Sequence, residues 1–195
     1  MSDFYAYTDK ILQYLRRYYV REFNRASFQI RSDQANVISL SKALYNRLRA
    51  ETVRAFVRIA KKKYFDLTGE DTITEMWVLD FISTANPLTG YIWTNDIDRK
   101  RQYFVESVMS GTNIRKDADK ALRQWYGAVK QYADLVTDAA AVKGFIDTGT
   151  KFVEWVTASD ERVCAVCDSR DGMIYPVKNV PAKPHYNCRC FLRRA

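Results

Sequence analysis

The chain has 195 residues but only one histidine, four cysteines, four prolines and seven glycines. So few glycines and prolines argue against a disordered or low-complexity chain. There is no Gly-rich phosphate loop and no Gly-x-Ser-x-Gly elbow. A Cys/His nucleophile pair would have to consume the only histidine, so the chain is not expected to be an enzyme. No apolar run approaches the roughly 18 residues that cross a bilayer, so no membrane segment is expected. The opening Met-Ser-Asp-Phe-Tyr-Ala-Tyr has no cationic stretch leading into an apolar one, which predicts no secretory signal. Hydrophobic residues make up 47%, enough for a core. The length fits one domain, or a domain with a small lobe.

What is scarce is also concentrated. All four cysteines and the histidine fall between Cys164 and Cys190, as Cys164-Ala-Val-Cys167, then 17 residues, then His185-Tyr-Asn-Cys188-Arg-Cys190. A C-x-x-C turn lets two thiolates reach one ion, and a second group arriving from a loop closes a tetrahedron. Three Cys and one His suit Zn²⁺ best. With five candidates for four places, the favoured set is Cys164, Cys167, His185 and Cys188, with Cys190 as the substitute for Cys188. A closed set of this kind is structural, since a catalytic zinc keeps a position for water. Two disulfides or a redox C-x-x-C are the competing readings. The first requires an oxidising compartment, and the second a thioredoxin-like strand context that is not apparent.

Residues 151–195 form too short a segment to build much core alone, and a metal would supply folding free energy there. Phe152-Val153-Glu154-Trp155-Val156 alternates like a strand. Asp171-Gly172 signals a hairpin turn, with Met173-Ile174-Tyr175 after it. Pro176, Pro181 and Pro184 mark a non-helical loop. Asp160, Glu161, Asp168 and Asp171 crowd the cysteines. They are read as a solvated rim, with Asp171 in the turn and Asp160 as a cap, in preference to a metal-using nuclease centre.

Residues 1–150 carry helical stripes. Phe4, Ile11, Leu12, Leu15, Tyr18 and Tyr19 form the first. Val37, Leu40, Leu44 and Leu48, then Val53, Phe56, Val57, Ala60 and Tyr64, predict one or two helices over 36–65, ended by Gly69. A short helix is expected near 73–83 with a Thr72/Glu75 capping box. Asn86-Pro87-Leu88-Thr89-Gly90 is a turn. A helix over 95–110 is expected, capped by Asn95 or Asp96 and stopped by Gly111. A long helix follows through Ala118, Ala121, Leu122, Trp125, Val129, Tyr132, Ala133 and Val136 to Ala139-Ala140-Ala141. Gly144 and Gly149 bracket a break after it. The fold class is therefore mainly α: an elongated helical region over 1–150 and a small zinc-stapled α+β lobe over 151–195.

Charge is uneven. Between Lys10 and Tyr64 stand fourteen Lys or Arg against three acids, +11 where the whole chain has +8. Arg16, Arg17, Arg21, Arg25, Arg47, Arg54, Arg58 and Lys61-Lys62-Lys63 follow the polar faces of the first helices. They read either as a solvated face or as a contact surface for something anionic. Tyr18, Tyr19, Phe23 and Phe28 between them fit core packing more readily than base stacking.

The run Trp155-x-Thr157-x-x-Asp160-x-Arg162-x-Cys164-x-x-Cys167, then Asp171-Gly172, then Pro184-His185-x-x-Cys188-Arg189-Cys190, resembles the C-terminal signature of the phage head morphogenesis proteins, minor head proteins similar to phage Mu protein F. The resemblance covers 151–191 and extends into the helices from about 95 onward. Some relatives have Pro where Tyr186 stands, a change that leaves the ligands intact. Others carry a fused toxin or enzyme domain after the signature, which is not expected in a chain with five residues beyond Cys190. The resemblance implies a virion protein at the capsid interior or portal vertex, assembled in the host cytoplasm. Its implied partners are the portal protein and the major capsid or scaffold protein, with packaged double-stranded DNA as a further anionic contact. Its implied roles are capsid assembly and DNA packaging or delivery. The alternative is a zinc-knuckle protein that binds or processes DNA.

Overall fold

The computed structural model describes residues 2–110, 113–158, 160–185 and 188–195. Gly111 and Tyr186 lie outside the described residues, as does the Phe4 side chain. Five helices build the larger part: α1 (Ser2–Ser32), α2 (Val37–Thr68), α3 (Glu75–Ile82), α4 (Trp93–Ser110) and α5 (Ile114–Asp147). A small antiparallel sheet follows, made of β1 (Phe152–Val156), β2 (Ile174–Pro176) and β3 (Phe191–Arg194) in the order β2-β1-β3. A single turn, α6 (Ala165–Asp168), sits between β1 and β2. The chain is thus mainly helical with a small C-terminal sheet.

The helical stripes close on one apolar core shared by α1 to α5. Aromatic rings meet edge to face at its centre. Phe23 lies 5.7 Å from Phe104 and 5.5 Å from Trp125, and Trp93 lies 4.9 Å from Tyr132. Such pairs add to the stabilisation from burial itself. Tyr19 and Phe23 are buried and belong to this core, whereas Phe28 is 72% exposed.

Residues 37–65 lie in a single helix, α2, with Asn36 before it in a short 3-10 turn, and Gly69 ends the helix at φ +76°, where a side chain would strain the backbone. Several boundaries differ from the sequence expectation. The cap of α3 is Thr74, whose hydroxyl accepts the Trp77 N–H at 3.1 Å; Thr72 lies outside the helix. Helix α4 starts at Trp93, because Trp93 and Ile97, one turn apart, both enter the core. Asn95 and Asp96 are therefore inside its first turn and do not cap it. Asp96 is buried and binds Arg99 at 3.0 Å and Lys100 at 2.6 Å. Helix α5 continues through Gly144, and the break comes at Gly149 with φ +73°. A Cβ on Gly144 would lie 3.2 Å from Leu67 Cβ, so this glycine admits the end of α2 without breaking α5.

Pairing in the sheet sets Trp155 opposite Leu192, and Val153 opposite both Tyr175 and Arg194. Pro176 ends β2 instead of opening the loop; β2 is an edge strand, where proline is tolerated. Val153 and Val177 pack with Ala141 and Phe145 of α5 and with Leu67 of α2. The sheet thus shares a core with the helix ends and positions the loops that carry the cysteines.

Candidate metal centre

Local chemistry places each ligand candidate. Cys164 is the N-cap of α6, and its Sγ accepts the Cys167 N–H at 3.4 Å. That turn aims both thiols of the C-x-x-C to one side. The segment between Val180 and β3 brings in the others. Cys167 Sγ lies 3.6 Å from His185 Nε2 and 3.5 Å from Cys188 Sγ. Two triangles of ligand atoms result, Cys164-Cys167-His185 and Cys167-Cys188-Cys190, each with all atoms within 4.8 Å. They share Cys167. All five candidates also line one cavity of about 20 Å³.

These features fit a metal. A tetrahedral ion with Zn–S bonds of about 2.3 Å has S···S edges of about 3.8 Å, close to the spacing around Cys167. The donors are soft thiols plus one imidazole. All four cysteines are free thiols here. Backbone donation from Cys167 lowers the pKa of the Cys164 thiol, whereas burial pushes Cys167 and Cys188 up. Burial disfavours the charged form of these inner thiols. An ion would displace their protons and supply the opposite charge that a buried thiolate lacks.

The remaining signature residues brace the centre. Trp155, buried at 2% exposure, packs with Cys167, Cys188 and Cys190, and Arg170 stacks on its ring at 5.2 Å. Asp171 Oδ1 accepts the Thr157 N–H at 2.8 Å, and Gly172 turns the chain at φ +72°. Asp160 accepts the Arg162 N–H at 3.0 Å and also takes a two-pronged ion pair from Arg189, between the second-pair cysteines. That guanidinium holds the Asp160 carboxyl down at about 2. Asp160 is therefore a strut across the centre as well as a local cap. Only the fixed spacing of Asp160 and Arg189 in the signature hinted at it.

Sequence reasoning missed a second strut. Lys183, two residues before His185, reaches Asp138 on α5 at 3.0 Å. Asp134, one turn earlier, is raised to about 6, by burial first and then by Asp138, with Lys183 and Lys130 acting against it.

The basic residues differ in use, and Lys63 lines a cavity with Cys188 and Cys190. Arg47 binds the buried Glu22 at 2.7 Å between α2 and α1. Arg54 pairs with Glu51, Lys61 with Asp71 and Lys62 with Asp66. Lys63 is half-buried on the side of Asp138, and burial lowers its pKa. Arg16, Arg17, Arg21, Arg25 and Arg58 are exposed.

Residues 101–193 match the family described as Phage Mu protein F like protein. The matched segment runs from within α4 to β3 and includes every ligand candidate. Helices α1 to α3, with the basic residues, lie before it. No curated protein and no solved structure matches the chain.

Proposed function

We propose that this chain, whose residues 101–193 match the family described as Phage Mu protein F like protein, is a minor head protein of a tailed phage. It is bound to the portal during assembly in the host cytoplasm and retained in the virion at the capsid interior or portal vertex. Its role is in capsid assembly and in DNA packaging or delivery.

The observation that carries this reading is the match itself, which spans the whole metal centre together with its braces. Zn²⁺ held by Cys164, Cys167, His185 and Cys188 or Cys190 would staple the C-terminal loops to the sheet. The role is structural, not enzymatic: the signature's polar residues are spent on holding the centre together. Asp160 binds Arg189 and Asp171 binds the Thr157 N–H. The exposed arginines of α1, with Arg58 of α2, present cations to an acidic portal, capsid or scaffold surface or to packaged DNA.

A mass-spectrometric inventory of purified particles tests this. The expected result is a fixed, low copy number relative to the portal. Absence from particles, with the protein instead on intracellular DNA, would favour the zinc-knuckle DNA-processing alternative.

A further inference from the structure

The basic stretch of this chain is followed at once by an acidic one. Between Lys63 and Arg99 stand seven acids and no lysine or arginine. The fold puts the two signs on different surfaces. On α1, from Lys10 to Phe28, the cations Lys10, Arg16, Arg17, Arg21 and Arg25 are all exposed, while Glu22, the one acid in that stretch, is buried against Arg47 of α2. The loop after α2 and helix α3 expose Glu70, Glu75 and Asp80. Nearby Asp66 and Asp71 are taken up by Lys62 and Lys61. Among the described residues no ion pair reaches Glu70, Glu75 or Asp80, nor Arg16, Arg17 or Arg25.

Within one molecule the two patches stand too far apart to neutralise each other. The Glu22–Arg47 pair fixes the middle of the arginine ridge beside Arg47, and Asp66 lies 19 residues farther along the same helix. That is about 28 Å of helix rise, whereas exposed charges are largely screened beyond about 8 Å at physiological salt. Arg17, Arg21 and Arg25 also follow one another at four-residue spacing, where like charges repel. A second copy of the chain answers both patches at once, because its α3 end is acidic where the ridge is basic. Each surface also sets apolar side chains among its charges: Val20 and Phe28 are exposed on the ridge, and Met76 is exposed on α3 between Glu75 and Asp80. Apolar groups inside a charged rim are the make-up of a protein interface, whereas a phosphate backbone is met by the charges alone.

We infer that the chain associates with itself, the arginine ridge of α1 in one copy seated on the acidic α3 end of another. Arginine forks match carboxylates in geometry as well as in charge. The contact goes beyond the head-protein reading and needs neither that reading nor the metal centre.

The test uses the purified full chain without any phage component, so its failure is separate from failure of that reading. Sedimentation velocity is run over a concentration series at low and high salt. Species larger than one chain should form at low salt and dissociate as salt rises. Reversing one patch, with Arg17→Glu, Arg21→Glu and Arg25→Glu or with Glu70→Lys, Glu75→Lys and Asp80→Lys, should weaken self-association roughly tenfold or more. Each reversed protein then carries one sign on both patches, so neither pairs with itself, but an equimolar mixture of the two should associate again. All six positions are exposed. If a melt shows that a reversed variant is unfolded, its Gln counterpart replaces it, and the wild-type salt response with the single-patch results decides. A wild type that is monomeric at every salt concentration, self-association that either reversal leaves unchanged, or a folded mixture that does not recover would overturn the inference. A monomer that retards a double-stranded DNA fragment would overturn it too, and would assign the ridge to an outside anion.

Discussion

Lys183 Nζ lies 3.0 Å from Asp138 Oδ1, which pins the loop delivering His185 to the middle of α5. The pair is mostly enclosed, with side chains 18% and 34% exposed. Burial works against the Lys183 charge, but the Asp138 carboxylate outweighs it and raises the lysine above its ordinary value. Removing one partner of such a pair strands the other in a poorly solvated place. Lys183→Met should therefore destabilise the protein by roughly 1–3 kcal/mol. Lys183→Met with Asp138→Leu should cost less than the sum of the two single changes. Urea denaturation of the four proteins closes the cycle, and strict additivity would show that the pair is not a latch.

The shared vertex of the two ligand triangles is Cys167. Protein purified without chelator should hold about one zinc per chain, as a closed site of four ligands requires. Cys167→Ser should abolish binding, because both triangles lose an apex. Cys164→Ser should melt the terminal lobe while most of the far-UV helical signal persists, since α1 to α5 have their own core. Cys188→Ser should lose more zinc than Cys190→Ser. Equal loss would overturn the favoured set and point to Cys188 and Cys190 both binding in place of His185, and two disulfides without metal would end the metal reading.

Much of this fold is legible in the sequence, and the exceptions share a cause. Stripes of apolar residues mark the long helices because burial is periodic along a helix. The strand at Phe152–Val156 and the turn at Asp171-Gly172 are visible from alternation and turn chemistry. Boundaries are not. Trp93 starts α4 because its ring finds Phe56 and Tyr132, neighbours that no local pattern announces. Gly144 reads locally as a break, but it admits Leu67 from a helix 77 residues away in the chain. Likewise the five ligand candidates are visible as a cluster. The pairs Asp160–Arg189 and Asp138–Lys183 span 29 and 45 positions and are set by tertiary packing.

The two glycines inside α5 should respond differently to alanine. At Gly127 nothing lies within 4 Å of an added Cβ, so Gly127→Ala should stabilise the protein by about 0.5–1 kcal/mol through helix propensity alone. At Gly144 the new Cβ would meet Leu67 Cβ and Cδ1 at 3.2 Å, a crowded approach that offsets the same gain. Thermal melts should place Gly144→Ala below Gly127→Ala. The reverse order would mean that α2 and α5 are less tightly packed at this end.

Asp134 gives a pH signature. Its native carboxyl sits at about 6, raised chiefly by burial, against about 3.9 unfolded. A raised carboxyl binds its proton more tightly in the folded state, so its contribution is fully favourable below about pH 4 and is lost as pH climbs towards 6. Above 6 the folded protein carries the whole cost of a poorly solvated charge. Asp134→Asn removes that cost, so the mutant should gain on wild type steadily between pH 4 and 6 and stay more stable above. Comparing the two at matched zinc cancels the opposing loss of metal at low pH. A wild-type-minus-mutant difference that is flat with pH would place Asp134 in ordinary solvent.

The exposed arginines of α1 offer the cleanest test of partner binding. Arg16, Arg17, Arg21 and Arg25 are all exposed, and Arg21 reaches Glu22 only at 3.4 Å. Glutamine has a similar helix propensity, and exposed ion pairs contribute little to folding. The quadruple change to Gln should therefore alter stability by less than about 1 kcal/mol. It should weaken association with the anionic partner. If that partner is DNA, wild-type affinity should fall steeply with salt and ignore sequence. The salt slope should then flatten in the mutant by about 0.9 for each phosphate that is no longer neutralised. If it is the portal, salt should matter less, because a protein interface adds an apolar centre to its charged rim. Selective recruitment to a procapsid favours the portal, since bulk cationic attraction does not discriminate among anionic surfaces. Normal incorporation of the quadruple mutant, with normal DNA filling and delivery, would reduce these four arginines to a solvated face.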